Sequence, residues 1–534
     1  MAKKSTNLIL ILLVLLGVAV WNPILSIYYQ QDEWQGLGHI FVEGITHPIA
    51  GMNFLQFIMG EGRSLARLFG LFLFGQFPFN PFPVAIFSLV FHLINMVLVY
   101  LLAQRLVKGT LPAVLAALFF LLNNVSSSAV TWFSTSVGTL PATTLILLAI
   151  FCFLRFAETK KRKFVLYVFF LLFASLFFKE IGIYLFIFLP LAHLLFEKVT
   201  VKKFFQTYWI FLFFFIVNAA FRIFELKSQD MPTALFLTGS APGFWKILVA
   251  RAALYPTTSF SLLFFPASMM IPFARGLTSI YYPFVNQSNF ALFSETVVLD
   301  IVALFAFFAI IFGLALILKN STKKEKGVVV FVWAFVFLSF LPYILIGKSF
   351  SYLESRYYYL PAAGGGILLA YLARRSLIIA ILIILLISAH LKTLSVDLDK
   401  QVEISRQREN FMSDLLYFQP TLDSSKNIFF ITGDSDYYIA GNKVPFQQGV
   451  GYTLATLYYK SGRIPDSFLT GHFLWDIGSE GYREENGFGF GLYQNKEALL
   501  DSIKTDKIPK EAIHAYYYDS SSKTLTDITN TLIK

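Results

Sequence analysis

Apolar residues fall in eleven runs along the 534-residue chain, near 8–28, 84–104, 111–123, 139–156, 164–178, 181–196, 204–221, 296–318, 327–346, 357–373 and 376–393. About 20 such residues cross a bilayer as a helix, so the pattern predicts a polytopic α-helical membrane protein with about 11 transmembrane helices. Several runs are shorter, which is tolerated where neighbours bury them. The polar positions between runs set the topology. Counted from a cytoplasmic N-terminus, the even-numbered loops carry Arg105 and Lys108; Lys160, Lys161, Arg162 and Lys163; Lys198, Lys202 and Lys203; Lys319, Lys323, Lys324 and Lys326; and Arg374 with Arg375. Positive charge collects in cytoplasmic loops, and every even loop obeys. One helix more or fewer would break the alternation. The expectation is N-terminus in, C-terminus out.

Three outer stretches are then too long or too polar to be simple turns: 29–83, 222–295 and 347–356. In 29–83 apolar pieces alternate with breakers, which predicts short helices lying along the membrane surface. In 222–295, apolar segments interrupted by Pro256, Pro266 and Pro272 predict an interfacial or re-entrant hairpin, tolerated where protein covers its backbone. After residue 393 the composition turns polar. Strand-like 427–431 and 512–518 and helix-like 496–503 predict a small outward-facing soluble α/β domain over 394–534, behind a transmembrane domain over 1–393.

Composition sharpens this picture. Charged residues make up 14% and hydrophobic ones 56%, with mean hydropathy +0.65; soluble domains carry roughly 25% charged residues. The net charge of +11 lies in short clusters between apolar runs, a topology signal rather than a nucleic-acid face. The single cysteine, Cys152, sits in an apolar run and excludes an internal disulfide or a cysteine metal cluster. Met1-Ala2-Lys3-Lys4 followed by a full-length apolar run, without a small-residue cleavage pattern, reads as an uncleaved anchor.

The candidate chemistry gathers on the outer side. Asp32 and Glu33 follow the first run, and Trp34 sets them at headgroup depth. Flanking charge alone would explain them as the exit of a helix into water. Arg63 in the same loop, Lys179-Glu180 in a tight turn between two runs, and Glu354 with Arg356 in the last outer loop favour chemistry instead. Cations at headgroup depth are suited to a lipid phosphate, and a carboxylate opposite them to deprotonating a hydroxyl. For Lys179-Glu180 the plainer reading is a snorkelling turn; for Glu354 and Arg356 it is an exposed ion pair contributing about 0–1 kcal/mol. His92 and Asn95 share a helical face, and a hydrogen-bonded helix contact explains them better than ligation. The seven histidines show no metal spacing, and no glycine-rich phosphate loop is present.

Four segments carry a resemblance. Gly62-Arg63-Ser64-Leu65, Phe91-His92-Leu93-Ile94-Asn95, Lys179-Glu180 and Glu354-Ser355-Arg356-Tyr357-Tyr358-Tyr359-Leu360-Pro361, with Asp-Glu opening the first outer loop, resemble the GT-C superfamily of polyprenyl-phosphate-sugar-dependent glycosyltransferases. Members include protein O-mannosyltransferases, the bacterial lipid A aminoarabinose transferase and bacterial relatives of the tetratricopeptide-bearing O-mannosyltransferases. The resemblance covers about residues 1–393; the 34-residue tetratricopeptide period is absent from the tail.

The resemblance implies an inverting glycosyltransferase. Asp32 would be the general base and Glu33 its orienting neighbour. Arg63, Lys179 and Arg356 would hold the donor phosphate, supported by Glu180, Glu354, His92 and Asn95. It implies a polyprenyl-phosphate sugar as donor, a glycan, lipid or protein as acceptor, and no nucleic acid. No cofactor is firmly expected; a divalent metal bridging pair and phosphate stays open without residue-level support, and would blunt the basicity of Asp32. Two other functions share the topology: a carrier or flippase for lipid-linked glycans, and a polymerase or ligase joining lipid-linked oligosaccharides. A carrier needs polar residues through mid-span, whereas charges here avoid mid-span and gather at one face.

Overall fold

The computed structural model describes residues 2–30, 33, 34, 36, 37, 63–77, 79–197, 200–228, 244–282, 287–345, 353–421, 427–431, 456–458, 481–485, 488–519 and 522–533. Its principal helices are α1 (Ala2–Trp21), α2 (Ser64–Gln76), α3 (Phe82–Val107), α4 (Thr110–Leu122), α5 (Phe133–Thr159), α6 (Lys163–Leu176), α7 (Leu185–Glu197), α8 (Val201–Ser228), α9 (Phe244–Phe264), α10 (Ala267–Tyr281), α11 (Leu299–Lys319), α12 (Lys323–Leu338), α13 (Tyr359–Ala373) and α14 (Leu377–Phe418). Each of the eleven apolar runs lies on one of them.

Among the described residues, six helices are long and apolar enough to cross a membrane, or up to eight if each of two bent pairs is one span. The chain is a multi-pass membrane protein, and the described residues do not confirm the count of eleven. The runs 164–178, 181–196 and 357–373 form helices of 14, 13 and 15 residues, only about 20 Å long at 1.5 Å per residue. The last, α13, is buried along its whole course from Tyr359 to Tyr371. It needs no lipid-facing length, and close packing explains its glycines: a Cβ on Gly366 would stand 2.6 Å from the Ala116 carbonyl oxygen of α4.

The loop charges meet at one end of the bundle. Arg105 pairs with Glu158 at 2.5 Å, Arg375 with Glu325 at 2.8 Å, and Arg374 donates to the Val107 carbonyl at 2.7 Å. Thr322 and Glu325 form a capping box that starts α12 there.

The 222–295 stretch contains the expected hairpin: α9 and α10 are bent by 110°. Pro256 and Pro272 do not interrupt it. They sit inside α9 and α10, and only Pro266 lies at the break. Near Pro256 the Thr257 hydroxyl donates to the Ala253 carbonyl at 2.7 Å. The bend leaves helix-end carbonyls buried, where each must find a donor. Asn123 Nδ2 donates to Leu263 O at 3.1 Å, and His390 Nε2 to Phe264 O at 3.0 Å.

Residue 393 falls within α14, which runs on to Phe418 before the sheet begins. The composition change marks the exit from apolar surroundings, not the end of the helix. Leu377 and Ile378 at its start are over 70% exposed, a lipid-facing surface, whereas Phe411 and Leu415 are fully buried. Beyond it stand β1 (Asn427–Ile431), β2 (Gly481–Glu485), β3 (Phe488–Tyr493), α15 (Lys496–Thr505), β4 (Ile513–Asp519) and β5 (Thr524–Asp527). They form a five-stranded sheet in the order β2-β3-β1-β4-β5, with β1 parallel to both neighbours. The expected strands 427–431 and 512–518 and helix 496–503 are all present. The sheet is seated on α14: Phe411 meets Phe430 and Tyr518 with ring centroids 5.9 Å apart, and Leu525 N donates to Asp414 at 3.1 Å.

Candidate active site

Arg63, Lys179, Glu180 and Arg356 come from distant parts of the sequence and line one cavity of about 480 Å³. Each is placed by local backbone. Arg63 precedes α2 as its N-cap residue. The first amides of α2, Leu65 N and Ala66 N, donate to the Phe177 carbonyl at 3.0 and 3.2 Å. The turn after α6 therefore docks on the open N-terminus of α2. Gly138 of α5 lets that turn come close: a Cβ there would lie 2.9 Å from the Phe178 carbonyl oxygen. Lys179, extended at the end of this turn, projects between the elements.

The Lys179 ammonium is half-buried and donates to Thr139 Oγ1 at 2.7 Å. Burial first, then the neighbouring charges of Arg63 and Arg356, push its pKa down to about 7, against an opposing pull from Glu180. Arg63 Nε pairs with Glu180 at 3.0 Å and is 55% exposed. Arg356 Nη2 pairs with Glu354 at 2.7 Å, and its guanidinium lies over the Trp132 ring, 4.6 Å from the centroid. Ser355 anchors this segment by donating to the Val125 carbonyl at 2.6 Å. The result is three cations against one lining carboxylate.

Of the acidic pair, Asp32 lies outside the described residues. Glu33 is 1% exposed and so does not stand at a water-facing exit. Its Oε1 accepts from Ser134 N at 2.7 Å and its Oε2 from Gln30 N at 3.1 Å. Ser134 is in the first turn of α5, where helix N–H groups favour a carboxylate, and Ser134 also lines the cation cavity. The acidic segment is thus bonded to the cavity wall.

His92 and Asn95 take no part in this cavity. Tyr359 O–H meets His92 Nδ1 at 2.8 Å, and Asn95 Nδ2 donates to Tyr359 Oη at 3.2 Å and to Leu140 O at 3.1 Å. Thr144 completes the set by donating to Asn95 Oδ1 at 2.8 Å. These bonds join α3, α5 and α13 in a dry core where an unpaired group is costly. Both residues make the expected helix contact, and neither lines the cation cavity. Glu354 faces a second cavity as well as Arg356.

Sequence reasoning did not single out Trp132, Ser134, Thr139 or Arg408. Trp132 and Ser134 lie between two apolar runs and Thr139 opens the second, and all three gain meaning only from what folds against them. Arg408 lies on α14 in the polar tail, yet it is 2% exposed. Glu33 is the charge that acts on it, and its Nε and Nη1 have no partner among the described residues.

No protein-family model matches the chain, and no curated protein does. A similar solved structure is the archaeal oligosaccharyltransferase AglB from Archaeoglobus fulgidus in complex with an inhibitory peptide and a dolichol-phosphate. It is 12% identical with a TM-score of 0.38, and the match covers 98% of this chain and 74% of that one. A likeness of that size carries nothing about chemistry, which rests on the cavity.

Proposed function

We propose that the chain is an inverting glycosyltransferase that moves a sugar from a polyprenyl-phosphate donor to an acceptor hydroxyl at the outer membrane face. The observation that carries this reading is the convergence of Arg63, Lys179 and Arg356 on one cavity whose wall is bonded to Glu33. A half-buried ammonium beside two guanidinium groups is unfavourable, and Glu180 opposes this only in part. A phosphate there would relieve that repulsion, and cations aimed at it stabilise the charge that grows as the phosphate leaves.

In the proposed step, the acceptor oxygen attacks the anomeric carbon and the bond from that carbon to the phosphate oxygen breaks. Its electron pair stays on the phosphate. The hydroxyl proton passes to Asp32, the residue before Glu33, and the configuration inverts. General-base help is typically worth 10²–10⁴-fold. Glu33, already committed to two backbone amides, has the orienting role.

Purified protein with a polyprenyl-phosphate sugar and a candidate acceptor tests the reading, with product configuration read by NMR. Inverted product from wild type and a loss of two or more decades in Asp32→Asn are expected. Wild-type rates in that variant would remove Asp32 as base. Movement of labelled lipid-sugar across liposomes with no glycosidic product would favour a carrier instead.

A further inference from the structure

A second cavity, of about 850 Å³, lies across the Glu354–Arg356 pair from the cation cavity. Four pieces of chain wall it: the segment between α4 and α5, the bend between α9 and α10, residues 353–358, and one face of α14. On α14 the lining runs from Thr393 to Gln407, with Asp397, Lys400 and Gln401 polar and Leu398 and Ile404 apolar. Two interleaved series, 393-397-401-404 and 397-400-404-407, step by three or four residues, so they form one mostly polar stripe down the helix. The same helix presents bare aliphatic residues at its start. A polar stripe facing inward from this helix is not what lipid contact selects.

The lining chemistry narrows the occupant. Hydroxyls and amides dominate the opposite walls too, through Asn124, Ser127, Ser128, Thr131 and Ser268. Thr131 and Thr393 already donate to backbone carbonyls and Asn124 meets His390; a prenyl or acyl chain would still strip water from the remaining polar groups, at about 1–3 kcal/mol for each one left unsatisfied. A phosphate would meet two carboxylates, Asp397 and Glu354, against one ammonium, Lys400. A neutral ligand rich in hydroxyls, each donating and accepting, suits this mixture. Tyr358, Leu262 and Leu398 supply apolar surface for its C–H faces. The volume lies within the roughly 300–1,000 Å³ usual for small-molecule sites.

We infer that this cavity is a carbohydrate-binding site and, resting on the glycosyltransferase reading above, that the acceptor is a glycan. Glu354 gives it a link to the donor cavity: the carboxylate borders the carbohydrate cavity while its partner Arg356, 2.7 Å away, lines the cation cavity. A sugar hydroxyl bonded to Glu354 competes with Arg356 for that carboxylate.

The test uses the full chain in detergent and no lipid donor. Saturation-transfer NMR is recorded with methyl glycosides of glucose, galactose, mannose and N-acetylglucosamine. At least one should receive saturation from wild type. The signal should fall at least tenfold in Gln401→Leu/Gln407→Leu, and also in Ser268→Trp, which fills the cavity from the opposite wall. Binding of a polyprenyl phosphate, measured by calorimetry on the same variants, should be unchanged and shows that they are folded. Absence of saturation in every glycoside, undiminished signal in both variants, or binding of a serine-containing peptide in their place overturns the inference. If glycosides bind as expected but no sugar leaves the lipid donor, the transferase reading fails and the carbohydrate site stands.

Discussion

Glu33 Oε1 accepts the backbone N–H of Ser134 at 2.7 Å, which fastens the segment after α1 to the first turn of α5. This bond joins Glu33 to the wall of the cation cavity. Glu33→Gln keeps the shape but removes the charge, and turns an amide donor toward one of the two N–H groups. A loss of about 1–3 kcal/mol is expected from the orphaned donor. Equilibrium unfolding in detergent reads it. Because Glu33 is the charge that acts on buried Arg408, Arg408→Met should cost less in the Glu33→Gln background than in wild type. A double-mutant cycle with no coupling would separate the two residues.

Arg356 is held from two sides, by Glu354 and by the Trp132 ring. Lysine cannot reproduce the planar stacking and the fork together. Arg356→Lys should therefore weaken polyprenyl phosphate binding about tenfold, or about 1.4 kcal/mol. Arg63→Ala should cost less, since Arg63 is 55% exposed and its field is screened by salt. Isothermal titration at two ionic strengths orders the pair.

Lys179 gives the site its pH dependence. Its pKa is pushed down to about 7, mainly by burial and then by Arg63 and Arg356, with Glu180 opposing. A bound phosphate raises that pKa, so binding takes up a proton. Affinity should peak between about pH 6 and 7, where lysine and phosphate are both charged, and fall as pH rises from 7 to 9, where the phosphate is already dianionic. Lys179→Arg, charged throughout, should flatten the profile. The stability sign follows from the same shift: between about 7 and 10.4 the unfolded chain holds this proton and the folded chain does not, so the lysine's contribution to stability improves with rising pH.

Gly138 tests the close approach of α5 to the Lys179 turn. Gly138→Val puts carbon against the Phe178 carbonyl, 2.9 Å from the Cβ position. The cost should be about 1–3 kcal/mol of stability, with weaker phosphate binding because Lys179 and Thr139 move apart. Gly313→Ala in α11 is the control. Nothing lies within 4 Å of its Cβ, and a helix-interior glycine replaced by alanine gains roughly 0.5–1 kcal/mol.

Tyr359→Phe removes the hydroxyl shared by His92 and Asn95. The expected loss is about 1–3 kcal/mol of stability from the buried polar groups left behind, with kcat of the folded fraction unchanged. A fall in kcat at constant stability would return His92 and Asn95 to the chemistry.

Eleven apolar runs, their basic loops and the strand-like segments at 427–431 and 512–518 are legible without coordinates, because burial in lipid and burial in the middle of a sheet both write themselves into local composition. So were Arg63, Lys179, Glu180 and Arg356 as candidates, since charge beside apolar helices is costly wherever it occurs. The tertiary structure alone decided that these four face one cavity, because docking of α2 on the Phe177 carbonyl and passage of the turn over Gly138 depend on residues far apart in the chain. It alone buried Glu33 against Ser134, drew His92 and Asn95 into the core around Tyr359, and carried α14 past residue 393 to bury Arg408. Composition records which solvent a segment meets; which side chains meet each other is set by how the helices pack, as where short α13 is buried from Tyr359 to Tyr371 among longer ones.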